Sequence, residues 1–390
     1  MITAIRAGQL IDGKGGPPLR DAVVLVEGQQ LKAVGQGIPV PSDAEVVDLS
    51  DLTLLPGFVD AHTHISIIPG LGDQIGQLKQ GPVPQLMRVV GNVRRMLRSG
   101  VTTARIMGEE HFLDVDVRKG IEAGLFVGPR LVISTRPITP SNGHGAALTL
   151  SDGSDEVRRT ARQNLKAGAD FLKLFATGGM SSSVGVDKVC FGDAEIAAIV
   201  EEAERGGTYV AAHAHGGMGM RKSLELGVRT IEHAALADPE LIELAIKKNA
   251  WLVGNFAIGF HPDGIEKGDF HIPEIREKVL RARQVRRKVW GDILKSGVRW
   301  ALGTDSMHGY LPFEAKMVVE FGAGNMDAIM GMTSRAAQVA RVDDRVGTIE
   351  AGKYADLVGV RGDPTLDIEA LTQVGFLMKD GKRYDHLSID

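Results

Sequence analysis

PGFVDAHTHI, residues 56–65, is where an apolar run meets two histidines. His62 and His64 stand two residues apart, behind Phe58, Val59 and Ala61. In a β-strand, residues i and i+2 face the same side. Two imidazoles therefore project together from the end of this strand. Two packed core histidines would give the same pattern. So would the first half of a metal site, and the rest of the chain decides between them.

Seven further apolar segments follow: VTTARIMG, PRLVISTRPI, DFLKLFATGG, YVAAHAHG, RTIEHAAL, AWLVGNFAIG and RWALGTDSM. Stretches such as SDEVRRTARQNLKAG and DAEIAAIVEEAERGG lie between them, amphipathic at helical spacing and closing on glycine. Apolar strands alternating with helices predict a parallel sheet. Eight such units over residues 55–346 predict an α/β protein, a (β/α)8 TIM barrel, a fold that typically takes about 250 residues. An open doubly wound sheet would carry a glycine-rich phosphate turn after its first strand, and GFVDAHTHI is no such turn. Residues 1–54 and 347–390 differ in character. Both are short, partly alternating strands broken by Gly, Pro and Asp turns, including the DG turn of VGFLMKDGKRY. They are expected to pair into one small β-sandwich domain.

Composition sets limits on function. The 390 residues carry a formal net charge of −4, which offers no basic field for nucleic acid. Cys190 is the single cysteine, so neither an internal disulfide nor a cysteine metal cage is possible. A metal would be held by histidine and carboxylate-type ligands, which suits zinc or a similar first-row ion. The N-terminus has no apolar signal region and no run reaches transmembrane length. A cytoplasmic protein with a small-molecule substrate and no membrane partner is the expectation.

In a (β/α)8 barrel the chemistry sits at the C-terminal ends of the strands. Five of the eight segments carry ligand-type residues there: His62 and His64, Lys173, His213 and His215, His233, and Asp305. Taken singly, each has a plain explanation. Lys173 could be a snorkelling strand lysine, His233 a satisfied buried histidine, and Asp305 a helix N-cap. Five strand-end placements in barrel order are hard to obtain from unrelated causes, and they favour a metal centre.

The motifs PGFVDAHTH, KLFATGG, HAHG, IEHA, GTDS and GTIEAGKYADLVGVRGDP resemble those of the amidohydrolase superfamily. The resemblance covers nearly the whole chain. Together with SNGHG at 141–145, it is nearest to the cluster of prolidase-like and imidazolonepropionase-like enzymes. It implies two divalent metal ions, zinc by default with manganese or cobalt as alternatives, and a carboxylated Lys173 (N6-carboxylysine, from CO2) bridging them. It gives His62, His64 and Asp305 to one ion, and His213 and His233 to the other. A bridging hydroxide would attack the substrate carbonyl, with Asp305 as general base and then acid. His215 competes with His213 as the strand-five ligand, because both face the same way. His144 in SNGHG is expected to bind substrate, as are His215, His308 and Tyr310. A homo-oligomer is also implied.

The reaction expected is hydrolysis of an amide bond in a peptide-like or N-acyl amino acid substrate. Alternatives are opening of a cyclic amide, hydrolysis of a lactone, carbamate or other xenobiotic, and heterocycle deamination. Deaminases of the superfamily commonly carry a glutamate four residues after the strand-five histidine. Gly217 stands there, which favours the amide hydrolase. The prolidase-like cluster often carries a Tyr or Arg near strand seven for the substrate carboxylate, whereas Asn255 and Phe256 follow WLVG here, which puts recognition of a free carboxylate in doubt. A metal-stabilised scaffold without catalysis is a third reading. The open ligand set argues against it, since structural metal sites are closed.

Overall fold

Strands from both ends of the chain share one hydrogen-bonded sheet in the computed structural model, which describes residues 2–181 and 184–384. Its N-terminal members are β1 (Ile2–Leu10), β2 (Leu19–Glu27), β3 (Gln30–Gln36) and β4 (Glu45–Pro56). β4 pairs in parallel with β1 and antiparallel with a C-terminal strand, Leu357–Arg361, through Leu54 opposite Gly359. The first half of β4 alternates buried and exposed, and its last five residues are all buried. That change marks where the strand leaves a two-faced sheet and enters the body of the protein. Ile5, Leu10, Val24, Leu54, Leu357 and Phe376 form the sheet's own apolar core.

Eight parallel strands follow, each inside the segment expected for it. β5 (Phe58–Thr63), β6 (Val101–Ile106) and β7 (Arg130–Ile133) form one sheet. β8 (Leu172–Phe175), β9 (Val210–Ala214), β10 (Thr230–His233), β11 (Trp251–Gly254) and β12 (Arg299–Leu302) form another. The two sheets touch at two seams. Ile138 bridges to Leu174, its N–H donating to Lys173 O at 3.0 Å. At the far side, Asp305 N–H donates to His62 O at 2.8 Å.

The chain then closes the terminal sheet with β13 (Leu357–Arg361), β14 (Val374–Lys379) and β15 (Lys382–Arg383). Asp380 and Gly381 turn the last hairpin with φ of 51° and 72°, the geometry for which Asp-Gly is preferred.

Helices flank the parallel strands. They include Pro82–Arg98, Ser154–Ala167, Asp193–Arg205, Pro239–Lys247 and Pro273–Ser296, as the periodicity predicts. Pro82, Pro239 and Pro273 open theirs at the first helical position, where a missing N–H costs nothing. Gly168 and Gly297 close theirs in the left-handed conformation. Val93, Leu97, Leu172, Leu174, Ile231, Leu252, Trp290 and Leu302 pack strands against helices. Each such fully buried side chain stabilises the fold by about 1.5–3 kcal/mol. Among the described residues, no helix is long and apolar enough to cross a membrane.

Candidate active site

The polar ends of five strands converge. One ligand atom each from His62, His64 and Asp305 lies within 4.8 Å of the others, a group able to hold a metal ion. His62 Nε2 is 3.4 Å from Asp305 Oδ1, and His233 Nδ1 is 4.0 Å from Oδ2. The His233 ring lies 5.0 Å from that of His62 and 4.5 Å from that of His213. All these imidazoles are buried.

Asp305 is not a helix N-cap. It sits in a turn with φ of 48°, well before the next helix, Leu311–Glu320. His233 also has a positive φ, 76°. Backbone of this kind is uncommon outside glycine, though Asp and His adopt it more readily than most residues, and it clusters at functional sites.

Hydrogen bonds fix which nitrogen of each histidine is free. His62 Nδ1 donates to Glu232 Oε2 at 2.9 Å, His64 Nδ1 to Gly108 O at 2.9 Å, and His213 Nε2 to Gly178 O at 3.0 Å. Each ring then keeps a lone pair on its other nitrogen, the arrangement found behind metal-ligating histidines. Burial lowers the pKa of His213, His215 and His233 well below the usual value and that of His64 to about 3, the last partly opposed by the charge of Asp305. Neutral imidazoles result, the form that ligates. Burial would raise Asp305, but the neighbouring His62, His64 and Lys173 hold it below the usual range. It is a carboxylate at neutral pH.

Lys173 is fully buried, its Nζ without a hydrogen-bond partner and 4.8 Å from the centre of the Phe175 ring. Burial brings its pKa down to about 8, so an appreciable fraction of the amine is neutral near physiological pH.

Two supporting groups escape sequence reasoning. Glu232 accepts from His62, from Thr230 Oγ1 at 2.6 Å, and from Arg105 Nη1 at 3.1 Å. Arg105 is completely buried and also donates to Ala61 O, Thr230 Oγ1 and Tyr209 Oη. Asp60 accepts from His62 N at 3.1 Å, Thr304 N at 3.0 Å and Thr304 Oγ1 at 2.6 Å, tying β5 to the loop that carries Asp305. Charged residues inside a fully buried strand were the available signal.

His64, His213, His215, His233 and Asp305 line one cavity, with His144 beside them. The His144 ring lies 4.6 Å from His213 and 5.5 Å from Phe175, and its Nδ1 is buried without a partner. His215 has neither ring nitrogen hydrogen-bonded. His308 and Tyr310, expected at the substrate, adjoin this site without lining its cavity. His308 Nε2 donates to His64 O at 3.1 Å, Tyr310 Oη donates to Asp263 at 2.7 Å, and neither lines the cavity. Gly309, with φ of 95°, turns their loop. Of the segment 176–187, Ser182 and Ser183 lie outside the described residues. The cavity's far wall is apolar, with Ile258, Phe260, Ile265, Val279 and Ala282, and it also contains Arg286.

Arg286 was missed, although the sequence carries a signal. Ile275, Val279, Ala282, Arg286, Trp290 and Ile293 are the buried stripe of the helix Pro273–Ser296, so one arginine occupies an apolar position.

The model of the amidohydrolase family matches residues 53–384, and the chain belongs to that family. It is an enzyme, a hydrolase acting on carbon–nitrogen bonds. An ochratoxinase of Aspergillus niger is 27% identical over 98% of this chain and 86% of its own length. An imidazolonepropionase of Acinetobacter baumannii is 24% identical, over 87% of each chain. Among solved structures, a Xaa-Pro dipeptidase with methionine bound in its active site superposes with a TM-score of 0.90 at 30% identity. That match covers 98% of this chain and all of the other.

Proposed function

We propose that this protein is a binuclear metal-dependent amidohydrolase that cleaves the amide bond of a peptide-like or N-acyl amino acid substrate. The observation that carries the reading is the convergence of the His62–His64–Asp305 group with His213 and His233, beside a buried, unpartnered Lys173 whose charge acts on Asp305. The eight strands form a (β/α)8 barrel closed at the two seams, spanning residues 55–346. Residues 1–54 and 347–390 would make up the accessory β-sandwich, of which residues 1 and 385–390 lie outside the described residues. Zinc is the default metal.

The donor set fits such ions. His62, His64 and Asp305 would hold one, and His213 and His233 the other. His213 rather than His215 is assigned because Gly178 O fixes its tautomer, while His215 has no such partner. Lys173, carboxylated by CO2 with formation of an N–C bond and loss of a proton, would be a further, anionic oxygen ligand of this centre. Bound there, the ions supply Lewis-acid polarisation and lower the pKa of water towards about 7.

The side chains do the rest. Asp305, ionised and beside His62, takes the proton from the attacking water as the new C–O bond forms. It then returns that proton to the leaving nitrogen as the C–N bond breaks. His144, with an unpartnered Nδ1 and its ring 4.6 Å from that of His213, would donate to the carbonyl oxygen, and His215 would contact the substrate.

The test is a mixed panel of dipeptides, N-acyl amino acids, lactones and aminated heterocycles, offered to protein loaded with zinc and bicarbonate. Amine release without ammonia, lost in Lys173→Ala together with bound metal, is the expected result. Ammonia alone would make the enzyme a deaminase and overturn the reading.

A further inference from the structure

The cavity contains a charge that the proposed chemistry does not use. Arg286 is 4% exposed, and no hydrogen bond or ion pair joins it to any described residue. Its nearest aromatic neighbour, Phe256, lies 5.8 Å from the guanidinium carbon. The other deeply buried arginine behaves differently, since Arg105 is satisfied by Glu232, Thr230, Ala61 and Tyr209. This fold therefore does pair a guanidinium where the role is structural.

Glu314 is the acid on the same side, but it is already engaged. It accepts from Phe256 N at 2.5 Å and Ala257 N at 2.7 Å, and burial pushes its pKa well above the carboxylate range. Both of its oxygens are taken up by these amides, and no hydrogen bond or ion pair joins it to Arg286. Burial lowers Arg286 only to about 10, so it remains a cation at neutral pH. Glu314 and Asp305 favour its charge from a distance, but neither bonds it. A buried guanidinium that faces a cavity with no hydrogen-bonded partner is built for an anion that arrives with the ligand, and its fork matches a carboxylate.

We propose that Arg286 anchors the free carboxylate of the substrate, so that the leaving amine is an α-amino acid. Its apolar side chain lies against Ile258, Phe260, Ile265, Val279 and Ala282. This rests on the amide-hydrolase reading and restores the carboxylate recognition that Asn255 and Phe256 put in doubt. Arg286 is a specificity residue supplied by the helix after strand seven rather than by the strand's end.

The test compares N-acetyl-L-phenylalanine with N-acetylphenethylamine, which has the same amide and no carboxylate. Wild type should prefer the acid by roughly 100-fold in kcat/KM, the worth of a charge-assisted pair. Arg286→Met should bring that ratio near one and Arg286→Lys should leave it intermediate. A ratio unchanged in folded Arg286→Met overturns the proposal. Calorimetric binding of L-phenylalanine to metal-loaded protein separates the two readings. Binding that weakens in Arg286→Met, with neither amide hydrolysed, retains the anchor and rejects the reaction. Equal binding by both proteins, or none by wild type, rejects the anchor. Should Arg286→Met fail to fold, Arg286→Gln serves in both measurements.

Discussion

His62 Nδ1 and Glu232 Oε2 lie 2.9 Å apart, both completely buried, and this contact decides which face of the imidazole can bind a metal. With the proton on Nδ1, the lone pair of Nε2 faces Asp305. Glu232 is itself fixed by Arg105, so three strands, β5, β6 and β10, hold one ring.

Replacing Glu232 by Gln keeps a hydrogen-bond acceptor for His62 but leaves Arg105 without its countercharge. Metal affinity should fall about 10- to 100-fold, as for other partners behind metal-ligating histidines. Competition against a chelator would measure it, and unchanged affinity would deny Glu232 its orienting role. Burial opposes the ionised form of Glu232, yet Arg105 and the hydrogen bond from His62 bring its pKa to about 2. Its contribution is therefore fully present above the ordinary carboxylate value and lost as pH falls towards 2. Chelated wild type should lose stability in that window, and Glu232→Gln should not.

The two strand-five histidines differ in how they are held. His213 has its Nε2 bonded to Gly178 O, whereas His215 has no ring partner and lies 5.0 Å from His233. His213→Ala should lower the metal content by about one ion per chain, measured by elemental analysis of the desalted protein. His215→Ala should retain both ions and raise KM. The reverse result would exchange the two roles.

Legibility in the sequence followed chain locality. HTH, HAH, IEH and GTD were readable because each group lies within a few residues of an apolar strand end. The eight strands emerged for the same reason. Glu232 and Arg105 were not readable as partners of His62, since that triad joins residues far apart in sequence that only sheet curvature brings together. Arg286 stood among many basic residues of one helix, and only its place on the buried stripe sets it apart. His308 and Tyr310 do not line the cavity, since nearness in sequence to Asp305 says little about direction once a glycine turn intervenes.

Glu109 is a buried acid outside the metal group. It accepts from Ser66 N at 3.3 Å and from Ser66 Oγ, and burial raises its pKa to about 8, with the nearby charge of Asp114 adding to the rise. The folded chain then holds a proton that the unfolded chain releases above the ordinary glutamate value. Stability should fall as pH rises from about 4.5 to about 8, where the folded carboxyl ionises. Glu109→Gln should flatten that part of the curve. Denaturant titrations at a series of pH values would check it, and parallel curves for the two proteins would remove Glu109 as the cause.

Gly303, the glycine of GTDS, has its own reason to be there. A Cβ at this position would lie 2.4 Å from His62 N and 2.9 Å from His62 Cα, both backbone atoms. Main chain cannot rotate away as a flexible side chain can. Gly303→Ala must therefore push β5 and β12 apart at the seam where Asp305 N–H meets His62 O. The expected cost is about 1–3 kcal/mol, typical of overpacking. Because the displaced residue is His62 itself, the first metal position should weaken even where the protein still folds. Thermal unfolding and metal titration of the same variant separate the two effects. A variant with lowered Tm but undiminished metal affinity would mean that the histidine pair tolerates movement of its strand, and that Gly303 serves packing alone.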